Sequence, residues 1–270
     1  MKLTDLLCKL DYECIQGRVD LEIGRVVYDS RKIEEGCLFI CIEGANFDGH
    51  DFAAQAVENG AAALVVSKEV PEIAGKDVTV IRVENTRYAM AFISAAYFGY
   101  PAEKLRVIGV TGTKGKTTTT YMVKSILENA GYKVGLVGTI EVIIGKERIH
   151  AGNTTPESYA LQEYFARMVE AGMDAVVMEV SSQGLMLHRT QGFVFDLGIF
   201  TNLEPDHIGP NEHASFEEYM HCKGLLFKQC RVGIVNGDDA HVDAVLQGHT
   251  CQVERYGIGQ HNDLRAENVR

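Results

Sequence analysis

Short apolar runs alternate with amphipathic stretches along the first hundred residues. Strand-like runs span 37–42, 63–66 and 78–83, and a stretch with helical spacing covers 52–59. Asn85 is typical of a helix N-cap, and the helix that it predicts runs to Tyr97 and ends at Gly99-Tyr100-Pro101. We interpret residues 101–104 as a short linker and predict a domain boundary after residue 103.

The rest of the chain repeats a pattern of strand, turn and helix. Apolar strand-like runs span 107–110, 134–137, 175–180, 197–201 and 232–235. This alternation predicts a parallel sheet with helices on both faces, and binding sites in such sheets gather at the carboxyl ends of the strands. The predicted fold class is α/β. A small α/β domain at residues 1–103 precedes a parallel-sheet domain at 104–270, whose pattern is unfinished at Arg270.

Composition narrows the range of partners. The 270 residues carry a net charge of -11, which argues against a broad nucleic-acid surface. The seven cysteines form no C-x-x-C pair, and Cys37 and Cys41 fall in an apolar run that favours buried thiols. Charges interrupt the N-terminus, and no apolar run approaches membrane-spanning length. We expect a reduced, soluble, cytoplasmic monomer without nucleic-acid or membrane partners.

A glycine-rich turn follows the apolar run at 107–110. Its sequence is Thr111-Gly112-Thr113-Lys114-Gly115-Lys116-Thr117-Thr118. Backbone N–H groups of such a turn wrap phosphate oxygens, Lys116 reaches the terminal phosphates, and the Thr117 hydroxyl is suited to Mg²⁺. Val110 stands where the strict motif has its first glycine, and a plain turn with a solvated lysine is the alternative. The strand before the turn and the helical spacing after it favour a P-loop that binds a small nucleotide.

Ionisable residues at strand ends mark further chemistry. Glu179 lies near the end of the apolar run 175–180, where a carboxylate is costly unless it is paired or bound to a metal. A pocket of N–H groups around this carboxylate explains its position equally well. Asp206 and His207 follow the run 197–201 and are candidates for a metal shell, although an Asp-His pair in a loop is more often a surface hydrogen bond.

Lys223 occupies an unusual position on its helix. The apolar stripe of a helix from about residue 215 to residue 227 includes position 223. A lysine on such a stripe is paired, extends its amine to solvent, or takes part in chemistry. Extension to solvent is the commonest of these outcomes, so periodicity alone favours it.

Together these segments resemble the Mur ligases of peptidoglycan synthesis, in particular the MurE type. The resemblance rests on the turn at 111–118, Asn153-Thr154-Thr155-Pro156, Met178-Glu179-Val180-Ser181-Ser182, Phe200-Thr201-Asn202-Leu203 with Asp206-His207, Lys223, and Asn236-Gly237-Asp238-Asp239. In the first domain, Asp29-Ser30-Arg31, Gly44 and Asp48-Gly49 resemble the UDP-binding domain of that type. The resemblance covers essentially the whole chain, which corresponds to about the first half of such a ligase.

The resemblance implies a ligase reaction that uses ATP and Mg²⁺. ATP phosphorylates the terminal carboxylate of UDP-N-acetylmuramoyl-L-alanyl-D-glutamate, and the amine of a diamino acid attacks the acyl phosphate to form the amide. Two alternatives stay open: a related ligase such as MurF, and a nucleotide-binding fragment that is catalytically incomplete. Folylpolyglutamate synthetase fits less well, because it lacks a UDP-binding domain.

The resemblance also assigns roles to individual residues. It implies that Lys116 and Lys223 are catalytic, and that Thr117, Glu179, His207 and a carbamylated Lys223 hold metal. The residues implied to bind the UDP-sugar-peptide are Ser30, Asn46, Asn153, Thr154, Thr155, Ser181 and Arg189. The chain departs from the commoner pattern at Gln183, where we expect a histidine, at Leu187, where we expect a polar residue, and at residues 209–213.

Overall fold

The computed structural model describes residues 1–44, 47–206, 208–209 and 212–268. The chain folds as two compact units, Met1–Gly99 and Tyr100–Arg270. Residues Pro101–Lys104 are not the linker that the sequence predicts. They form a 3₁₀ helix of the second unit, because Pro101 and Ala102 are buried there.

The first unit is built on a five-stranded sheet. Its helices and strands are α1 (Leu3–Leu7), β1 (Glu13–Gln16), β2 (Val26–Val27), β3 (Leu38–Ile40), α2 (Ala53–Glu58), β4 (Ala63–Val66), β5 (Thr79–Arg82) and α3 (Thr86–Tyr97). The strand order is β1-β5-β4-β3-β2, with β1 antiparallel to β5 and the other pairs parallel. The three strands predicted from apolar runs are therefore the central strands β3, β4 and β5.

Two polar motifs of this unit have structural roles. The Asp48 carboxylate accepts a hydrogen bond from the His50 N–H at 2.9 Å and so caps a 3₁₀ helix. A side chain at Gly49 would place its Cβ 2.7 Å from the Ile42 nitrogen, so only glycine fits. Asp29 caps the 3₁₀ helix Ser30–Lys32 in the same way, because its carboxylate accepts from the Arg31 N–H at 3.1 Å.

The second unit is built on a nine-stranded sheet. Its helices and strands are β6 (Arg106–Thr111), α4 (Lys116–Asn129), β7 (Val134–Val137), β8 (Glu141–Ile144), β9 (Glu147–His150), α5 (Ser158–Glu170), β10 (Ala175–Glu179), α6 (Ser182–Met186), β11 (Phe195–Phe200), α7 (Phe216–Gly224), β12 (Cys230–Asn236), α8 (Val242–Val245), β13 (Gln252–Gly257) and β14 (Leu264–Arg265). The order is β14-β13-β12-β11-β6-β10-β7-β8-β9, and only the β7–β8 and β8–β9 pairs are antiparallel among these strands.

Strand order determines where ligands meet this sheet. The chain leaves β6 for β7 on one side and later crosses back to β11 on the other side, so β10 and β11 flank β6. Such a reversal opens a crevice at the carboxyl ends of the central strands. The carboxyl ends of β6, β10 and β11 therefore lie together, and they carry the glycine-rich turn, Glu179 and Thr201-Asn202.

Helices cover both faces of this sheet. Val123 and Leu127 of α4 pack on one face, over Ile108 and Val177. The other face carries a larger core to which α5, α6, α7 and α8 contribute, including the fully buried Phe165. The predicted parallel sheet with helices on both faces is confirmed.

The sequence predicts buried thiols at Cys37 and Cys41. All seven cysteines are free thiols, and Cys37 and Cys41 are fully buried, as the apolar run predicts. Burial raises the pKa of the Cys41 thiol to about 12, so this thiol is inert at neutral pH.

Among the described residues, no helix combines the length and apolar content that a membrane crossing requires.

The cap of α3 provides a stability test of the first unit. The Asn85 carboxamide oxygen accepts hydrogen bonds from the N–H groups of Arg87 and Tyr88 at 2.9 and 3.0 Å. Asn85→Ala removes both, and we expect it to lower the free energy of unfolding by about 1 kcal/mol. Urea denaturation measures the change. Glu84→Ala, at the exposed neighbouring position, is the matched control, and equal losses for the two variants would contradict the capping role.

Candidate active site

The glycine-rich turn adopts a conformation that requires glycine at two positions. Gly112 has φ 150° and Gly115 has φ 84°, both in the region that side chains disfavour. A Cβ at Gly112 would lie 2.0 Å from Thr201 Oγ1, so the close approach of β11 also excludes a side chain. Helix α4 begins directly afterwards at Lys116. The turn therefore presents backbone N–H groups at the N-terminus of a 14-residue helix, which is a favourable place for phosphate.

Residues after β11 hold the turn in place. The Asn202 side chain accepts from the Lys114 N–H at 3.0 Å and donates to the Lys114 carbonyl at 3.0 Å. The Thr201 hydroxyl donates to the same carbonyl at 2.8 Å, and the Asn202 carbonyl accepts from the Thr113 N–H at 2.9 Å. Asn236 donates in turn to the Thr201 carbonyl at 2.9 Å. The sequence motifs at 200–203 and 236–239 thus act as a brace for the turn, which sequence reasoning did not predict.

Lys116 lies against the turn and does not extend into solvent. Its Nζ donates to the carbonyls of Gly112 and Thr113 at 2.9 and 3.0 Å. Burial lowers the pKa of the Lys116 ammonium, while the nearby Glu179 carboxylate acts in the opposite direction. Lys114 differs, since it is exposed and forms an ion pair with Asp206 at 2.8 Å. The alternative of a solvated lysine therefore describes Lys114 and does not describe Lys116.

Glu179 carries a buried carboxylate at the end of β10. Glu179 is 1% exposed, and its carboxylate accepts hydrogen bonds from Thr117 Oγ1 at 3.0 Å and from the Thr139 N–H at 2.8 Å. Gly138 makes room for it, because a Cβ there would lie 2.5 Å from Glu179 Oε1. Both interpretations of Glu179 therefore have support. N–H and O–H donors surround the carboxylate, as the pocket interpretation expects. A carboxylate and a hydroxyl oxygen also lie together beside Lys116, as the metal interpretation expects. Oxygen donors of this kind fit Mg²⁺.

Lys223 is fully enclosed in the second unit. It is 1% exposed, so the expectation that its amine extends to solvent is wrong. Its Nζ donates to the Gly112 carbonyl at 2.9 Å and lies 4.4 Å from the centre of the Tyr219 ring. Burial, followed by the charge of Lys116, holds the pKa of the Lys223 amine well below its usual range. A lowered pKa raises the fraction of the amine that is unprotonated, and the unprotonated form is a nucleophile.

Tyr219 connects Lys223 to the glycine-rich turn. Its hydroxyl lies 3.1 Å from Thr113 Oγ1, and its ring is fully buried. Sequence reasoning placed Tyr219 on the apolar stripe of the helix and did not assign it this contact. Because Tyr219 and Lys223 are four residues apart on α7, the helix presents both side chains to the glycine-rich turn.

A polar cavity of about 210 Å³ lies beside the turn. Residues that line it include Lys116, Asn153, Thr154, Ser181, Ser182 and Arg189. The Arg189 guanidinium donates to Glu157 Oε1 at 2.7 Å and to the Thr155 carbonyl at 3.1 Å. Among the described residues, its buried Nε–H has no hydrogen-bond partner. The cavity therefore places two cationic side chains beside hydroxyl and amide groups.

Ser181 lines this cavity, and Thr155 contacts Ser181 without lining the cavity itself. Thr155 is fully buried, and its hydroxyl donates to the Glu179 carbonyl at 3.1 Å and accepts from the Ser181 N–H at 3.0 Å. The Ser181 hydroxyl accepts from the Gly184 N–H at 3.0 Å and caps α6. In this structure Thr155 supports the backbone at the end of β10, while Ser181 both caps α6 and lines the cavity.

The other sequence-predicted residues lie elsewhere. Thr118 is exposed on the first turn of α4. Ser30 begins the 3₁₀ helix Ser30–Lys32 of the first unit and is partly buried. Asn46 and His207 fall outside the described residues, so their predicted roles stay predictions.

Family models match both units. The Mur ligase middle domain matches residues 110–270, and the catalytic domain of the Mur ligase family matches residues 22–98. The chain is 45% identical over 271 residues to a UDP-N-acetylmuramoyl-L-alanyl-D-glutamate--2,6-diaminopimelate ligase of Clostridium tetani, covering 100% of this chain and 56% of that protein. It is 46% identical over 270 residues to a ligase of the same name from Clostridium acetobutylicum, covering 100% of this chain and 55% of that protein.

Solved structures show the same architecture. A structure titled UDP-N-acetylmuramoyl-L-alanyl-D-glutamate--2,6-diaminopimelate ligase superposes with a TM-score of 0.80 at 23% identity, covering 97% of this chain and 53% of that one. A MurF structure from Acinetobacter baumannii superposes with a TM-score of 0.64 at 21% identity, covering 100% of this chain and 55% of that one. The chain thus spans about half the length of the proteins that it matches.

The brace at Asn202 gives a local prediction. Asn202→Ala removes the acceptor of the Lys114 N–H, so we expect amide hydrogen exchange at Lys114 to become about fivefold faster, equivalent to about 1 kcal/mol. Asn129→Ala is the control, because Asn129 bonds only within α4 through the Ser125 carbonyl and hydroxyl among the described contacts. Unchanged exchange at Lys114 in Asn202→Ala would show that the side chain does not hold the turn.

Proposed function

The chain belongs to the Mur ligase family, and from this we propose that it carries the UDP-sugar-binding and ATP-binding parts of an ATP-dependent amide ligase. The proposed reaction adds a diamino acid to UDP-N-acetylmuramoyl-L-alanyl-D-glutamate. Relatives of that name at 45% and 46% identity support this substrate. The observation that carries the proposal is the meeting of Lys116, the Thr117–Glu179 oxygen pair and the buried Lys223 at the carboxyl ends of β6 and β10.

The first proposed step transfers the terminal phosphoryl group of ATP to the terminal carboxylate of the dipeptide. The triphosphate and the carboxylate are both anionic, so cationic groups must offset their repulsion. The turn offers backbone N–H groups at the start of α4, and the Lys116 ammonium lies within reach of the same place. Residues 112–118 are therefore the proposed ATP-binding segment, and Lys116 is the residue proposed to stabilise the transferring phosphoryl group.

Two sets of ligands are proposed for Mg²⁺. Thr117 and Glu179 would hold one ion, and His207 with a carbamylated Lys223 would complete the second set. When bound, Mg²⁺ neutralises phosphate charge and orients the phosphate oxygens. The protein's own contribution is to fix the Glu179 carboxylate, through the Thr139 N–H and the space at Gly138.

The cavity beside Lys116 is the proposed site for the peptide end of the substrate. The partnerless Nε–H of Arg189 and the planar shape of the guanidinium suit a carboxylate or phosphate. Asn153, Thr154 and Ser181 provide amide and hydroxyl groups on the same wall. Ser30 and Asn46 of the first unit are proposed to bind the uridine nucleotide. Once the acyl phosphate exists, the amine of the diamino acid attacks its carbonyl carbon, and phosphate leaves as the amide forms.

The second candidate function is a nucleotide-binding module that does not complete the ligation. The chain spans 55–56% of the length of the Clostridium relatives. The two candidates differ in one product. A ligase converts ATP to ADP only when the UDP-dipeptide accepts the phosphoryl group, whereas the module binds ATP without forming an acyl phosphate.

Removal of the Lys116 ammonium tests the phosphate site. Lys116→Ala should weaken Mg·ATP binding by about 10- to 100-fold, because a charge-assisted contact to phosphate is lost. Calorimetric titration measures the affinity, and thermal unfolding checks that the fold survives. Lys133→Ala, an exposed lysine after the same helix, is the control. Equal affinities for parent and Lys116→Ala would refute this role for Lys116.

Carbamylation of Lys223 is a separate prediction. The Nζ atoms of Lys116 and Lys223 donate to the same Gly112 carbonyl, each at 2.9 Å, so two ammonium groups there would repel each other. In its unprotonated form the Lys223 amine attacks CO₂, a nitrogen–carbon bond forms, and one proton is released to give an anionic carbamate. The repulsion then becomes attraction, and the carbamate oxygens suit a hard cation.

The measurement is a ¹³C NMR spectrum in labelled bicarbonate. The parent protein should show one carbamate resonance in slow exchange. The Lys223→Met variant should lack this resonance, and the control variant Lys228→Met should keep it. Methionine retains the length of the apolar stem, so the core of α7 is preserved. A spectrum without a carbamate resonance, or one that Lys223→Met leaves intact, would rule the modification out.

A further inference from the structure

His213, the last residue of the divergent sequence at 209–213, lies at the wall of the proposed substrate cavity. His213 is 1% exposed, and its Nε2 lies 2.8 Å from the Ser182 hydroxyl oxygen. Ser182 and His213 both line the cavity that also contains Lys116 and Arg189. Neither residue takes part in the phosphate, metal or carboxylate contacts described above. The residue that caps α6 is Ser181 and not Ser182.

A carboxylate lies on the far side of the imidazole. Glu218 Oε2 is 3.7 Å from His213 Nδ1, and the same oxygen accepts from the Ala214 N–H at 2.6 Å. Glu218 is fixed at the start of α7, where its own N–H donates to the Ser215 hydroxyl at 3.2 Å. The negative charge favours the tautomer with its proton on Nδ1, which leaves Nε2 as an acceptor for the Ser182 O–H.

The ring of His213 is held in this orientation by packing. Its centre lies 5.2 Å from the centre of the Tyr219 ring at an interplanar angle of 53°. Tyr219 is itself fixed between His213 and the glycine-rich turn through Thr113. Hydroxyl, imidazole and carboxylate are thus held in series. Ser182 and His213 line the cavity, and the Glu218 side chain at the other end of the series is 44% exposed.

We propose that Ser182, His213 and Glu218 form a proton relay that accepts the proton of the incoming amine during amide formation. This inference rests on the proposed ligase function, and it deepens that function by naming the base of the second step. An amine that attacks an acyl phosphate must lose a proton for the amide to form, and Lys116 and Arg189 are unsuited to accept it because their charges serve anionic groups.

The proton transfers balance between this series and the departing phosphate. The incoming ammonium first passes one proton to Ser182 Oγ while the Ser182 proton passes to His213 Nε2, and Glu218 stabilises the resulting imidazolium. The freed nitrogen lone pair then forms the nitrogen–carbon bond as the bond from carbon to phosphate oxygen breaks, and the departing phosphate takes the second proton of the nitrogen. The proton on His213 later leaves to solvent, which returns the relay to its starting state. Ser182 is the group that touches the amine, and His213 and Glu218 act through it.

Two nucleophiles separate this role from a structural one. Hydroxylamine is unprotonated at neutral pH and traps the acyl phosphate as a hydroxamate without needing a base, whereas 2,6-diaminopimelate arrives with protonated amines. With Mg·ATP and the UDP-dipeptide, His213→Gln and Ser182→Ala should lose about 100-fold or more of the rate with diaminopimelate. Their hydroxamate rates should stay within about twofold of the parent. Glutamine keeps a hydrogen-bonding group beside Ser182 but cannot take up a proton.

Carboxylate variants provide the matched control. Glu218→Gln should lower the diaminopimelate rate and spare the hydroxamate rate, whereas Glu217→Gln, at the exposed position beside it, should change neither. Equal losses with both nucleophiles, or no loss with either, would overturn the relay and leave the ligase function standing. A parent chain that forms neither product overturns the ligase function together with the relay.

A spectroscopic measurement examines the relay without turnover. In ¹⁵N NMR of the histidine-labelled chain, His213 should carry its proton on Nδ1, and the Nε2 resonance should shift in Ser182→Ala. A His213 ring that is protonated on Nε2 at neutral pH would overturn the proposal, because Nε2 could not then accept the Ser182 proton.

Discussion

The hydrogen bonds from Thr201 and Asn202 to the glycine-rich turn are the constraint on which the second unit depends. A turn with two glycines in unfavourable backbone regions has many alternative conformations, and its own sequence does not select one. Asn202 fixes both the N–H and the carbonyl of Lys114, and Thr201 Oγ1 occupies the space that a side chain at Gly112 would need. The turn is thereby held open at the start of α4.

The same brace brings charged groups into a small volume. Lys116 and Lys223 both donate to the Gly112 carbonyl oxygen. The Glu179 carboxylate lies beside Thr117, the residue that follows Lys116. Buried like charges are costly unless an opposite charge joins them. Phosphate groups and a carbamate supply such charges, so the arrangement is better suited to an anionic ligand than to packing alone.

The sequence predicted the parts of the fold that depend on local pattern. Helix α3 begins after Asn85 and ends at Tyr97 as expected, because its cap and its stop are both local signals. The central strands β6, β7 and β10 were found from their apolar runs. Helix α5 was missed although Leu161, Phe165 and Met168 show helical spacing, and the β8–β9 hairpin was missed although Gly145 marks its turn with φ 60°.

The geometry of the candidate site depends on contacts that local pattern does not encode. The Asn202–Lys114 bonds join residues 88 positions apart, and the His213–Ser182 contact joins residues 31 positions apart. Periodicity placed Lys223 on a buried stripe but favoured an amine in solvent, since it carries no information about the Gly112 carbonyl above that stripe. Residue types were therefore predictable, whereas their partners required the sheet order that places β10 and β11 beside β6.

Paramagnetic broadening by Mn²⁺ in the presence of ATP is the most direct test of the claim that phosphate and metal meet at the end of β6. Mn²⁺ replaces Mg²⁺ among oxygen ligands and broadens the resonances of nearby nuclei. The account predicts that the amide resonances of Thr117, Thr139 and Glu179 broaden first, and only when ATP is present. Broadening confined to Glu43, Asp48 and His50 of the first unit, whose ligand atoms lie within 4.8 Å of one another, would contradict it.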